Sequence, residues 1–168
     1  MGLVRDRWRG ALCFRQLTKM SDPKYSKAGS EALLSGDFGE SFVAYLLAKK
    51  GITVARAGTV GFDLLARDHK GNILAKNKIS GISVKTRISK RAKRYVPGVP
   101  LRSAQTLVAA KRWNAEPYLA VVIGSINNRL DVFIIPFKKA LTLSGKIAKH
   151  DYLAAAQLYK NKSVIKLF

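Results

Sequence analysis

The chain has 168 residues, 48% of them hydrophobic, and carries 31 Lys and Arg against 10 Asp and Glu, a formal net charge of +21. That length suits one domain with a buried core and leaves little for a second, while the apolar content excludes a chain too polar to collapse. The charge points to polyanionic partners, with nucleic acid ahead of an anionic membrane surface or an acidic protein. Cys13 is the single cysteine, which excludes an internal disulfide and a cysteine-built zinc site and fits a reducing compartment.

In chain order, residues 1–34 are basic and broken by "SDPKYSKAGS", and read as a flexible arm ahead of a domain over 35–168. The arm begins "MGLVRDRWRGALCFRQLTKM", which lacks the continuous apolar core of a secretory signal but has the Arg-rich, acid-poor composition of an organelle transit segment. The first firm element is a helix, "DFGESFVAYLLAKKG", whose Phe38, Phe42, Val43, Leu46 and Leu47 form one apolar stripe. Asp37 is placed as its N-cap, with capping-box spacing to Glu40, and Gly51 stops it. Strands are predicted over 52–58 and 61–68, then a hairpin turn at "HKGN", and a further strand ending "GISVKTR". After the Pro- and Gly-broken "YVPGVPL" comes a helix over Arg102–Asn114. The apolar strands "YLAVVIGSI" and "RLDVFIIPF" follow, joined by a turn at Asn127-Asn128. The longest apolar run, "YLAVVIG", is too short to cross a bilayer, so no membrane partner and a cytoplasmic, nucleoid-associated location are expected. From about Lys138 onward the chain reads as helical, with "DYLAAAQLYK" its clearest piece. The fold expected is α/β, a mixed central sheet of about five strands flanked by helices.

With ten acidic residues, each can be weighed. Asp63 and Asp131 lie inside aliphatic strands, where an unpaired carboxylate is costly to bury. Alternation of period two sets Asp63 against its apolar neighbours Phe62 and Leu64. It also puts Ser83 and Lys85 on one face and Ile82 and Val84 on the other. If the two strands pair, Asp63, Ser83 and Lys85 share a face. A carboxylate and a lysine at a strand-lined cleft are the parts of a metal-assisted phosphodiester hydrolase. Glu40 lies about 20° from Leu47 on a helical wheel, at the rim of the buried stripe, so capping and site roles are evenly balanced for it. Between Lys85 and Arg94, six of ten positions are Lys or Arg and none is acidic. Such a run is often only a solvated face, but here it follows the candidate strand and ends at Tyr95. His69, His150 and Cys13 have no partner at useful spacing. Asp131 is expected to pair with a basic side chain, and Ser83 to be an ordinary strand residue.

The succession "GDFGESFVAYLLAKKG", "GFDLLA" and "ISVKTR" resembles the PD-(D/E)xK, or restriction-endonuclease-like, nuclease superfamily. The nearest flavour is that of archaeal Holliday-junction resolvases and group I intron homing endonucleases. The resemblance covers about residues 36–125. It implies Asp63 as the metal aspartate, Lys85 as the catalytic lysine and Glu40 as the helix glutamate supporting the metal, with Mg²⁺ (or Mn²⁺) as cofactor. It also puts Gln105 where related enzymes have a polar residue near the site. The basic run itself points to DNA, its phosphates held by Arg87, Lys90, Arg91, Lys93 and Arg94, with Tyr95 or Trp113 able to stack on an unpaired base. Cutting two strands would favour a homodimer. One departure stands out: the family's acid two residues before the lysine is Ser83 here. Three readings follow from the sequence: an Mg²⁺-dependent DNA endonuclease, a nucleic-acid-binding module on the same fold with weakened or lost catalysis, and a basic RNA- or ribosome-associated protein.

Overall fold

A computed structural model of the chain describes residues 27–89, 98–125, 130–147 and 150–168. Helix α1 spans Lys27–Lys49 and carries Val43, Leu46 and Leu47 fully into the core, with Phe42 half-buried and Phe38 largely exposed. It ends in a tight turn: Gly51, at φ +79°, donates to the Ala48 carbonyl, and Ile52 donates back to Leu47. Asp37 is not an N-cap, because the helix begins well before it; its carbonyl oxygen accepts the Ser41 hydroxyl within the helix instead.

Among the described residues, six strands make the main sheet. They are β1 (Thr53–Thr59), β2 (Phe62–Arg67), β3 (Ile79–Ser89), β5 (Glu116–Ser125), β6 (Asp131–Pro136) and β9 (Ile165–Lys166), in the order β1-β2-β3-β5-β6-β9. Only β3 and β5 are parallel, with Lys85 beside Val121; the remaining pairs are antiparallel, so the sheet is mixed as predicted. A parallel pair needs a long crossover, supplied here through β4 (Val99–Leu101) and α2 (Ser103–Trp113). The central strand β5 is apolar without alternation because both its faces are covered. Tyr118, Ala120 and Val122 join the core that includes α1, Leu64, Ile82 and Val84. Leu119, Val121 and Ile123 join a second core with Phe137 and Leu158. Each such fully buried aliphatic side chain contributes roughly 1.5–3 kcal/mol of transfer free energy.

The C-terminal third corrects the expectation of a helical segment. It is not mainly helical: α3 (Phe137–Leu143) and α4 (Ala155–Lys160) are short, and β7 (Gly145–Ile147) and β8 (His150–Leu153) lie between them. These strands form a second sheet in the order β4-β8-β7, where Val99 pairs with Leu153 and Leu101 with Asp151. The start of "DYLAAAQLYK" is therefore strand, because its partner β4 arrives from fifty residues upstream. Strand β9 adds the sixth strand, with Phe133 opposite Lys166. Asp131 pairs with the Lys166 ammonium, as a basic partner was expected, and also accepts the Tyr159 hydroxyl at 2.8 Å. The Asn127-Asn128 turn lies outside the described residues.

The β2–β3 connection is longer than a tight hairpin. "ILA" forms no strand, and the loop is organised around Asp68, 3% exposed, whose two oxygens accept the backbone N–H groups of Lys70, Gly71, Ile73 and Leu74. Among the described residues, no helix is long and apolar enough to cross a membrane.

Candidate active site

The site begins where the β2–β3 ladder stops. Leu65 pairs with Gly81 and Leu64 with Ile82, and one further step would set Asp63 against Ser83. There the side chain takes over from the backbone: Asp63 Oδ2 accepts the Val84 N–H at 2.6 Å. Lys85 Nζ approaches the same oxygen to 3.9 Å and donates to Ser83 Oγ and to the Val84 carbonyl, both at 3.0 Å. Ser83, only 5% exposed, donates in turn toward Asp63 Oδ2 at 3.4 Å, a long bond. The predicted face-sharing of Asp63, Ser83 and Lys85 is observed. Ser83 is a strand residue of β3, as expected, and in addition links the lysine to the carboxylate. Its neighbours on β3, Ile82 and Val84, go to the core below.

Glu40 reaches this region because α1 lies directly on β3. A Cβ at Gly39 would overlap the Thr86 hydroxyl, so only glycine permits the approach. The next residue is Glu40, half-buried, whose carboxylate makes no hydrogen bond or ion pair among the described residues. Burial pushes the Glu40 carboxyl above its ordinary range, and the negative charge of Asp63 pushes it further; the Arg56 guanidinium opposes them. For Lys85, burial lowers the ammonium below its usual value. Asp63 opposes that shift and the positive charge of Arg102 adds to it.

Two cations that sequence patterns did not single out thus belong to the surroundings. Arg56, on β1, donates to the Ser41 hydroxyl of α1 and stands near Glu40. Arg102 precedes α2 and stands near Lys85. Either was hidden as one more arginine in a basic chain; for Arg56 a charge inside the strand "ITVARAG" was the available signal. Arg87 is exposed on β3, and its charge also acts on Lys85. Gln105 is exposed on α2, which packs on the β1–β2 turn through Gly61, φ +105°, a position where any Cβ would strike the Gln105 carbonyl. No hydrogen bond joins the Gln105 side chain to Asp63 or Lys85. Lys90, Arg91, Lys93, Arg94 and Tyr95 lie outside the described residues.

The donor set bears on whether a divalent ion fits. Among the described residues no three His, Cys, Asp or Glu side chains group as a ready-made cage. Two carboxylates, Asp63 and Glu40, repel one another, and among the described residues no cation is bonded to Glu40. Hard carboxylate oxygens in that number suit Mg²⁺, which is commonly bound by one or two carboxylates, with water and substrate phosphate completing the octahedron.

No protein-family model and no curated protein matches the chain. Among solved structures, it is similar to the 1.6 Å structure of Archaeoglobus fulgidus Hjc, a Holliday junction resolvase from an archaeal hyperthermophile. The identity is 17% and the TM-score 0.47, over 72% of this chain and 84% of that one.

Proposed function

We propose that the chain is a divalent-metal-dependent DNA endonuclease of the PD-(D/E)xK type, with branched or otherwise structured DNA as its substrate. The observation that carries this reading is the Asp63–Ser83–Lys85 cluster beside a Glu40 carboxylate that has no partner among the described residues. Asp63 and Glu40 would hold one Mg²⁺ or Mn²⁺, which when bound would polarise the phosphoryl group and acidify the attacking water. Lys85 is the proton-handling group. Its lowered pKa brings its ammonium nearer to release, and its Nζ is already aimed by Ser83 and the Val84 carbonyl. Arg87, Lys90, Arg91, Lys93 and Arg94 neutralise backbone phosphates, Tyr95 stacks on an unpaired base, and Gln105 borders the cleft. Cutting two strands symmetrically calls for a homodimer, and a DNA substrate places the protein at the nucleoid or organelle DNA.

Ser83 in place of an acid supports a second reading, a binding module of the same architecture with little or no catalysis. One experiment separates them. Purified chain is incubated with linear, branched and single-stranded DNA in Mg²⁺ or Mn²⁺, alongside Asp63→Ala and Ser83→Glu. The nuclease reading expects metal-dependent cleavage that Asp63→Ala abolishes without loss of binding and that Ser83→Glu strengthens by adding a hard oxygen ligand. Binding without cleavage by the parent and by Ser83→Glu alike would leave the binding module standing.

A further inference from the structure

At the opposite end of β3 from Lys85, roughly 20 Å away along the strand, the first residues of the parallel strands β3 and β5 meet α2 around a groove of about 800 Å³. Its apolar surface is made by Ile79, Leu107 and Val108, which stand 46%, 38% and 59% exposed, with Ala115 and Pro117 beside them. Three solvent-facing aliphatic side chains converging on one concavity are unusual on a surface otherwise crowded with lysine and arginine. Lys111 and Lys138 also line the groove, and neither has an acidic partner among the described residues. The single acid there, Glu116, is already paired with Lys78 at 3.2 Å.

We infer that this groove docks an acidic segment of another protein that carries aliphatic or aromatic side chains, the apolar groups entering between Ile79 and α2 and the carboxylates meeting Lys111 and Lys138. The chain's own acidic and apolar stretch, "EALLSGDFGE" over 31–40, is wound into helix α1, so the occupant is taken from another protein. A second copy related by a two-fold axis would set these lysines against the same lysines. Nucleic acid would satisfy the lysines but gain nothing from an aliphatic floor, since bases are held by stacking on aromatic faces. The docking site is separate from the Asp63 cluster, so peptide binding there does not depend on whether the chain cuts DNA.

The test uses the full chain as bait for a displayed library of short random peptides. A selected peptide is then labelled and titrated by fluorescence anisotropy against the parent, Val108→Ser and Lys111→Gln, with oligothymidylate titrated in parallel. Both substitutions are at exposed helix positions, and melting curves confirm that the fold is kept. Selected peptides should be acidic with interspersed apolar residues. Val108→Ser should weaken them about tenfold, equal to about 1.4 kcal/mol, while oligothymidylate affinity stays unchanged; Lys111→Gln should weaken the peptide and steepen its dependence on its apolar residues. Peptides lacking that pattern, or binding both variants as tightly as the parent, would overturn the inference. So would an equal loss of oligothymidylate affinity in Val108→Ser, which would make the groove a nucleic-acid surface. A parent dimer in sedimentation that Val108→Ser dissociates would show instead that a second copy covers it.

Discussion

Two aspartates bracket β2 and are used in opposite ways. Asp68, just after the strand, has both oxygens filled by four backbone N–H groups of the following loop. Asp63, near its start, gives one oxygen to the Val84 N–H, Ser83 and Lys85, and among the described residues its other oxygen has no hydrogen bond. Burial would raise the Asp68 carboxyl, but the four N–H bonds outweigh it and hold the group below its ordinary value. A carboxylate whose acceptor sites are consumed locally is a structural part. One that keeps an oxygen open beside a partly buried glutamate and lysine has the capacity to take a ligand.

The sharpest way to break this contrast is to remove each carboxylate in turn. Asp68→Ala removes the acceptors of four loop N–H groups, that of Leu74 buried and the others partly so, at up to about 1–3 kcal/mol each. Urea denaturation should therefore show a loss of several kcal/mol, or no folded protein at all. Asp63→Ala should cost less than that, about 1–3 kcal/mol for the Val84 N–H left without its acceptor, yet reduce metal-dependent cleavage at least about 10²-fold, as loss of a charge-stabilising group does. If the two substitutions proved equally destabilising, the distinction between them would fail.

Gly39→Ala is the next largest. The added methyl must displace Thr86 or lift α1 from β3, at about 1–3 kcal/mol for overpacking. Because Glu40 follows, cleavage should fall in step, whereas Gly36→Ala, inside the same helix with nothing near its Cβ, should leave the rate intact and raise stability by about 0.5–1 kcal/mol.

The pH response gives a further test of Asp68. Asp68 has a folded pKa depressed from 3.8, so its contribution is fully present above that value and is lost as pH falls through the lower, folded pKa. Stability should therefore drop steeply below about pH 4, and Asp68→Asn should flatten that drop while lowering stability at neutral pH. Equilibrium unfolding at several acid pH values would expose an unchanged slope. The smallest effect concerns the basic run: replacing Arg91, Lys93 and Arg94 by Ala should reduce the log-log salt slope of DNA binding by about 1 for each phosphate no longer neutralised. An unchanged slope would move the binding surface elsewhere.

Alternation within "GFDLLA" and "GISVKTR", once β2 pairs with β3, brings Asp63, Ser83 and Lys85 together, because a pleated strand has only two faces and Leu64, Ile82 and Val84 go to the core, although Phe62 packs with Leu65 instead. Continuous apolarity in "YLAVVIG" likewise marked the doubly covered centre of the sheet. What the chain could not disclose locally was anything decided by a distant partner. Strands of two to four residues, β4, β7, β8 and β9, carry too few positions to establish a period, and "DYLAAAQLYK" has helical propensity along its whole length. Only pairing of Leu153 with Val99 makes its first part strand. The Asp37–Glu40 spacing suited a helix start, but tertiary structure extends α1 through it, leaving Glu40 to be placed by the close approach of Gly39 to Thr86. The bridging of Lys85 to Asp63 by Ser83, and the influence of Arg56 and Arg102, arise from side chains far apart in sequence meeting in a partly desolvated space, where charge acts strongly and which no local pattern describes.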